Sequence, residues 1–497
     1  MTEQVYLAID LGAESGRVMA GLWNGATMQL EQVHRFANEP VEIGESLRWD
    51  VPRLWLEIQN GLSLAARRFG KKVVSVGVDA WGVDFVLLSK SSEMLGLPHH
   101  YRDGRTSGWV EAACRQVPRA EIFAETGLQF MEINTLCQLL ALRKASPELL
   151  AAPDSLLMIP DYLHWCLSGE QTCEFTNATT TQCFHPVNRT WSRGLLEKFN
   201  LPTRMFKEVV PPGTRLGSLR ASLAQRTGLD PAVAVIAPAT HDTASAVVAV
   251  PAAHTGRNNW AYISSGTWSL MGLEIPRAQL SQRVLELNFT NEGGVDGTFR
   301  LLKKIMGLWL VQQCKRSFEN RGGTMDYAGL AALAETEPAL RSIVVPNDQR
   351  FLHPPDMPAA IQDFCRETGQ PVPESEGALV RCALESLALA YQRVLCGLEE
   401  INNGPIETIH IVGGGSRNDL LNQFTANACG RRVLAGLVEA TALGNLLIQM
   451  RACGGVGSLA EIRSIVARSC ELREFTPQSV DATAWQEAKG RFAKLKK

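Results

Sequence analysis

No apolar run in these 497 residues approaches the roughly 18–20 needed to cross a bilayer. No basic region leading into an apolar stretch opens the chain, so a secretory signal is not expected and a cytoplasmic location is. An excess of one charge is also missing. The 49 Lys and Arg against 51 Asp and Glu leave a formal net charge of −2, which offers no footprint for nucleic acid or an anionic membrane. The twelve cysteines contain no Cys-x-x-Cys pair and the nine histidines no metal spacing, so zinc and thioredoxin-type chemistry lack support. Gly-x-x-x-x-Gly-Lys-Ser/Thr is absent too, which excludes a P-loop protein. What remains is a globular composition, 45% hydrophobic and 20% charged, too long for one core, so two or more domains are expected. In a reducing compartment most thiols should be packed and free. Cys365 and Cys382, flanking a Pro-rich turn, are the pair that could approach one another.

The chain opens on Val5-Tyr6-Leu7-Ala8-Ile9-Asp10-Leu11-Gly12-Ala13-Glu14-Ser15-Gly16-Arg17, an apolar strand, a tight small-residue turn and the start of a second strand. Such a turn can aim several backbone N–H groups at one anion, and Asp10 could hold a hydrated Mg²⁺ against it. An ordinary hairpin with a surface Asp fits the same residues. Beyond a break at Pro251–Asn259, Ile263-Ser264-Ser265-Gly266 repeats Ile9-Asp10-Leu11-Gly12, with Ser264 replacing the acid. The repeat suggests two similar domains, 1–250 and 251–497, each with a phosphate-type hairpin, facing one cleft.

Further strand signals occur at Val73–Asp79, Phe85–Leu88, Val233–Ala237 and Ile409–Val412, and helical spacing at Leu54–Phe69 and Ala378–Leu398. Residues 108–170 are mostly helical by pattern, and Val345–Pro358 reads as an extended excursion. Gly413-Gly414-Gly415 lacks the dinucleotide Gly-x-Gly-x-x-Gly spacing. The three glycines either permit close helix packing or let a flat adenine lie on bare backbone. Thr240-His241-Asp242-Thr243 follows a strand and begins a helix. Thr or Asp there can cap free N–H groups, but Asp242 could instead accept the proton of a substrate hydroxyl in phosphoryl transfer. In Asp79-Ala80-Trp81-Gly82-Val83-Asp84, Trp81 is either a wall for a sugar ring or a buried aromatic. Arg102 and Arg105 are open between polyol recognition and pairing with neighbouring acids.

Taken together, these segments resemble the FGGY carbohydrate kinases of the actin–hexokinase–chaperone ATPase superfamily, over nearly the whole chain. The resemblance is carried by Asp10-Leu11-Gly12, Pro160-Asp161-Tyr162-Leu163, Thr176-Asn177-Ala178-Thr179, Ser264-Ser265-Gly266-Thr267 and Gly413-Gly414-Gly415-Ser416-Arg417-Asn418. Trp81–Leu88, His241–Val247 and Ile305–Leu310 are closer still to members that act on L-rhamnulose. The resemblance implies an α/β fold of two ribonuclease H-like domains flanking a catalytic cleft. It also implies ATP- and Mg²⁺-dependent phosphorylation of L-rhamnulose at its 1-hydroxyl, with no obligate protein partner. Kinases of fuculose, xylulose or glycerol share the hairpins, and so do non-catalytic switches such as actin.

By matching positions, Asp242 is the proton acceptor, and Gly82, His241 and Thr243 are substrate contacts. Ala13, Glu14, Ser15, Gly16 and Arg17 form the first phosphate turn. Thr267 belongs to the second, Gln312 is a further ATP contact, Gly414 lies in the adenosine loop, and Asp10 holds Mg²⁺ through water. Lys304 occupies a sugar-contact position where the family pattern has Asn, and lysine can donate but not accept.

Overall fold

The computed structural model describes residues 4–252, 259–352, 354–479 and 482–495. They group into two compact units. Unit 1 holds residues up to 255, Glu274–Leu301 and Ala440–Ser469, and unit 2 the remainder.

Unit 1 is organised on a six-stranded sheet. Its strands are β1 (Gln4–Leu11), β2 (Ser15–Trp23), β3 (Met28–Ala37), β4 (Val73–Ala80), β5 (Thr214–Ser218) and β6 (Ala234–Ala237), in the order β5-β6-β4-β1-β2-β3. The hairpin β1–β2 is antiparallel with Asp10 opposite Arg17, whereas β1–β4 and β4–β6 are parallel. Helix α1 (Val51–Phe69) starts with the Asp50 side chain accepting the Arg53 N–H, and its buried Leu54, Ile58, Leu62 and Ala65 recur at helical spacing.

A second, seven-stranded sheet repeats this plan with one extra edge strand. Beside that edge strand, Thr290–Gly293, come β7 (Trp260–Ser265), β8 (Trp268–Ile275), β9 (Phe299–Met306), β10 (Thr408–Val412), β11 (Arg432–Gly436) and β12 (Leu472–Phe475), in the order edge strand-β9-β8-β7-β10-β11-β12. Again the hairpin β7–β8 is antiparallel, β7–β10 and β10–β11 are parallel, and the last pair is antiparallel. The short repeat seen in the sequence is therefore a repeat of whole-sheet topology. The long helix Glu376–Asn402 is tied to this sheet by Tyr391 and Ser269, whose hydroxyls lie 2.7 Å apart.

Each compact unit is drawn from separate stretches of the chain. Helix Ala440–Ala452, from the C-terminal half, packs on β1 and β4. A polar ladder binds it there: Ser75 donates to Gln449, Gln449 donates to the Leu7 carbonyl and to Asn445, and Asn445 donates to Asp79. Most of the break expected at Pro251–Asn259 lies outside the described residues.

On the same helix, a Cβ at Gly444 would lie 1.8 Å from the Ser245 carbonyl oxygen and 2.7 Å from its carbon. Ser245 sits in the short helix Asp242–Val248, so backbone meets backbone and neither can yield alone. Gly444→Ala is expected to cost about 1–3 kcal/mol in urea unfolding, the scale of core overpacking, and to lower activity by displacing Asp242. Unchanged stability would refute this close approach.

Two local expectations also resolve. All twelve cysteines are free thiols, and Cys365 and Cys382 stand within hydrogen-bonding reach of each other without a disulfide. Among the described residues, no helix is long and apolar enough to cross a membrane.

Candidate active site

The turn after β1 is held by the Gly12 N–H donating to the Ser15 carbonyl and by Asn38, which donates its side-chain amide to Gly12 and its backbone N–H to Glu14. Gly16 is buried so tightly that a Cβ would sit 2.3 Å from the Phe36 ring. The Ala13 N–H donates to none of the described residues. At the strand end, Arg17 donates to Asp10 Oδ2 at 2.5 Å, leaving Oδ1 with no hydrogen bond from the described residues. Asp79 adjoins Asp10 in the parallel register. Burial and the charges of Asp10 and Asp242 push its carboxyl well above the usual aspartate range, and Oδ1 has no hydrogen-bond partner among the described residues. Three carboxylates thus influence one another here.

Asp242 opens the short helix that follows β6. Its Oδ1 accepts the Thr243 N–H at 2.5 Å and the Thr243 hydroxyl at 3.1 Å, and lies 3.4 Å from His241 Nε2. No described residue bonds Oδ2, and the side chain keeps 32% of its surface exposed. The pKa of Asp242 is raised, mainly by burial and further by Asp10, against the opposing pull of His241 and Thr243. One oxygen is held and one is presented, which suits a group that receives a proton from a ligand.

The loop before Asp242 is anchored by Glu174, a residue the sequence did not single out. Its wholly buried carboxylate accepts from the backbone N–H groups of Thr176, Asn177 and Thr240 and from the hydroxyls of Thr176 and Thr240. The Thr176 hydroxyl in turn accepts the His241 N–H at 3.1 Å. The usable signal was local: Glu174 caps the turn that begins the Thr176-Asn177-Ala178-Thr179 stretch. Arg300, which meets the His241 ring, left no such signal.

Gly82 lies two residues beyond Ala80, which bridges to His241. A Cβ at Gly82 would sit 2.9 Å from the Thr180 side chain, whose hydroxyl accepts the Val83 N–H. Val83 has φ +70°, a strained value for a β-branched residue. It is held by the Thr135 hydroxyl donating to its carbonyl at 2.6 Å.

Trp81 resolves as a buried aromatic, not an open wall. It stands 4.0 Å from Trp49 between ring centroids, and both indoles donate to Asp84, at 3.0 and 2.6 Å respectively. Gln138 and the Tyr101 N–H also donate to Asp84, whose pKa burial lifts to about 6. Arg105 donates to both the backbone and side-chain oxygens of Gln138, and Arg102 lies over the Tyr101 ring. These groups hold the loop together.

In unit 2, Gly266 N–H donates to the Trp268 carbonyl, and the Gly307 and Trp309 N–H groups both donate to the Thr267 carbonyl. Neither the N–H nor the hydroxyl of Thr267 bonds a described residue. The turn is thereby fixed to the start of helix Trp309–Asn320, which carries Gln312. Gln312 Oε1 is buried without a hydrogen-bond partner among the described residues.

The glycine run divides between the two readings. A Cβ at Gly413 would meet the Ser265 carbonyl oxygen at 2.9 Å and one at Gly415 the Ser265 hydroxyl at 2.0 Å, whereas Gly414 faces open space. Packing explains the outer two, and the middle one is free to meet a ligand. Lys304 is buried on β9, 7% exposed. Unit 1 thus gathers Asp10, Ala13–Arg17, Gly82, His241, Asp242 and Thr243, while Thr267, Lys304, Gln312 and Gly414 belong to unit 2.

Comparison with known proteins places this geometry in a family. Residues 5–249 match the profile of the N-terminal domain of the FGGY family of carbohydrate kinases, and 261–453 that of its C-terminal domain. The chain is 44% identical over 486 residues to a rhamnulokinase of Bacteroides thetaiotaomicron, covering 98% of each. It is 42% identical to a rhamnulokinase of Oceanobacillus iheyensis, over 96% of this chain and 100% of that one. In fold it is similar to a ligand-bound xylulose kinase of Lactobacillus acidophilus (TM-score 0.81, 14% identity, 99% and 97% covered). It is also similar to the glycerol kinase of Plasmodium falciparum with ADP (TM-score 0.78, 14% identity, 99% and 98% covered). The chain belongs to the FGGY family of carbohydrate kinases, a two-domain α/β enzyme with ATP as cosubstrate.

Proposed function

We propose that this enzyme transfers the γ-phosphoryl group of ATP to the 1-hydroxyl of L-rhamnulose, yielding L-rhamnulose 1-phosphate and ADP. The observation that carries the substrate is the end-to-end identity of 41–44% to proteins named rhamnulokinase. The geometry supports the reaction type, since Asp242 turns a free carboxylate oxygen outward while Thr243 and His241 hold the other. In a loose phosphoryl-transfer transition state the alcohol needs orientation and late loss of its proton. The hydroxyl proton passes to Asp242 Oδ2, the new O–P bond forms, and the bond from the γ-phosphorus to the β–γ bridging oxygen breaks. No covalent phospho-enzyme is required.

Gly82, His241, Thr243 and Lys304 are assigned to the sugar. Ala13 to Arg17, Thr267, Gln312 and Gly414 are assigned to ATP. The unpartnered buried Oε1 of Gln312 and the open face of Gly414 support their part in that assignment. Asp10 would hold Mg²⁺ through water. The donor set suits it, because carboxylate oxygens favour a hard cation and Mg²⁺ keeps most of its waters. When bound, the ion would neutralise charge on the transferring phosphates.

A coupled ADP-release assay over L-rhamnulose, L-fuculose, D-xylulose and glycerol tests the substrate. L-rhamnulose is expected to lead in kcat/KM by at least ~10-fold, the discrimination that one or two differing contacts supply. A higher value for xylulose or glycerol would overturn the assignment.

A further inference from the structure

Both ring nitrogens of His241 meet charged groups. Nε2 lies 3.4 Å from Asp242 Oδ1, while Nδ1 lies 3.0 Å from Arg300 Nη2 and 3.2 Å from Glu292 Oε2. Arg300 and Glu292 are completely buried, and Arg300 Nη2 is also 3.3 Å from that Glu292 oxygen. Arg300 Nε donates to the Gly293 carbonyl at 2.9 Å. The backbone of His241 is held as well: its N–H goes to the Thr176 hydroxyl, and its carbonyl accepts the Ala244 and Ser245 N–H groups.

The two neighbours of Nδ1 make opposite demands. A guanidinium has no acceptor and keeps its protons, so Arg300 can bond Nδ1 only where that nitrogen offers a lone pair. Glu292 can bond it only where it carries hydrogen. The other side of the ring breaks the tie: a proton on Nε2 is attracted by the Asp242 carboxylate, and a lone pair there is repelled. Arg300 and Asp242 therefore agree on one tautomer. Glu292 has a separate use, because it neutralises a guanidinium that could not otherwise be buried.

We propose that Arg300 is a positioning residue that keeps a proton of His241 on Nε2, so that the ring donates toward Asp242 Oδ1. This rests on the assignment of Asp242 as proton acceptor. The ring then orients the carboxylate and does not compete with it for the substrate proton. Glu292 is the counter-ion of Arg300, not the residue that orients the histidine.

The test is nitrogen NMR of the full chain carrying ¹⁵N-labelled histidine, with His241→Gln used only to assign the signal. Wild-type protein should show protonated Nε2 and unprotonated Nδ1. Arg300→Met should move the proton to Nδ1, facing Glu292, and lower kcat ~10–100-fold, the usual scale for losing an orienting partner, with KM for the sugar changing less. Glu292→Gln should lower stability, but in the molecules that remain folded it should keep the tautomer and most of kcat. Arg300→Lys, which retains a donor and a charge, should fold and keep the Nε2 proton even if Arg300→Met does not fold. A proton on Nδ1 in the wild type or in Arg300→Lys would overturn the proposal, as would equal damage from Glu292→Gln and Arg300→Met. The NMR readout does not depend on which sugar is the substrate, so its failure is distinct from failure of the proposed reaction.

Discussion

Asp242→Asn should lower kcat by ~10²–10⁴-fold, the range for losing a positioned general base, while ATP affinity by calorimetry stays within a few-fold. The amide has nearly the same shape as the carboxylate, and its oxygen can still accept the Thr243 N–H that Asp242 Oδ1 accepts now. That places the amide nitrogen where Oδ2 stands, so the sugar hydroxyl would meet a donor in place of an acceptor. The pH dependence has a fixed sign. Asp242 must be ionised to receive a proton, and burial together with Asp10 raises its pKa above the ordinary 3.8. The acid limb of the wild-type kcat profile should therefore lie above that value, with activity lost as pH falls through it. A variant with near-normal turnover would remove Asp242 from the chemistry.

What could be read from the chain in advance was whatever depends on near neighbours. The turn after Asp10 is a local object, closed by Gly12 and Ser15, and its partial copy at Ser264–Thr267 announced a second sheet of the same plan. The Gly413–Gly415 run was ambiguous because its meaning depends on what faces each glycine. Ser265 faces the outer two, and only Gly414 stands open. Trp81 was ambiguous for the same reason, until Trp49 and Asp84 enclosed it. The long-range packing of helix Ala440–Ala452 left no local signal. Asn445 reaches Asp79 across 366 residues, and periodicity within a helix cannot say which sheet that helix will cover. Arg300 escaped because an isolated charged residue on a strand looks alike whether it ends in water or against a histidine ring.

Glu174→Ala is expected to cause the largest loss of stability, about 3–5 kcal/mol, by the standard of buried charges whose partners are removed. Three backbone N–H groups and two hydroxyls converge on this one carboxylate. The hydroxyls can turn to other acceptors, but the N–H groups of Thr176, Asn177 and Thr240 are fixed by the chain and would be left buried without partners. Thr240 adjoins the His241–Asp242 pair, so the same change also frees the loop that aims the base. Misplacement of about 1 Å costs on the order of 10²-fold in rate, so the molecules that remain folded should turn over correspondingly slowly. Glu174→Gln separates the two effects. It keeps an oxygen for the Thr240 N–H and hydroxyl and sacrifices only the single bond that Oε1 takes from Thr176, so both stability and kcat should fall much less. Urea unfolding and steady-state kinetics on the two variants measure this directly. If Glu174→Ala unfolds at the wild-type denaturant concentration and retains wild-type kcat, the buried carboxylate is not what holds Asp242 in place.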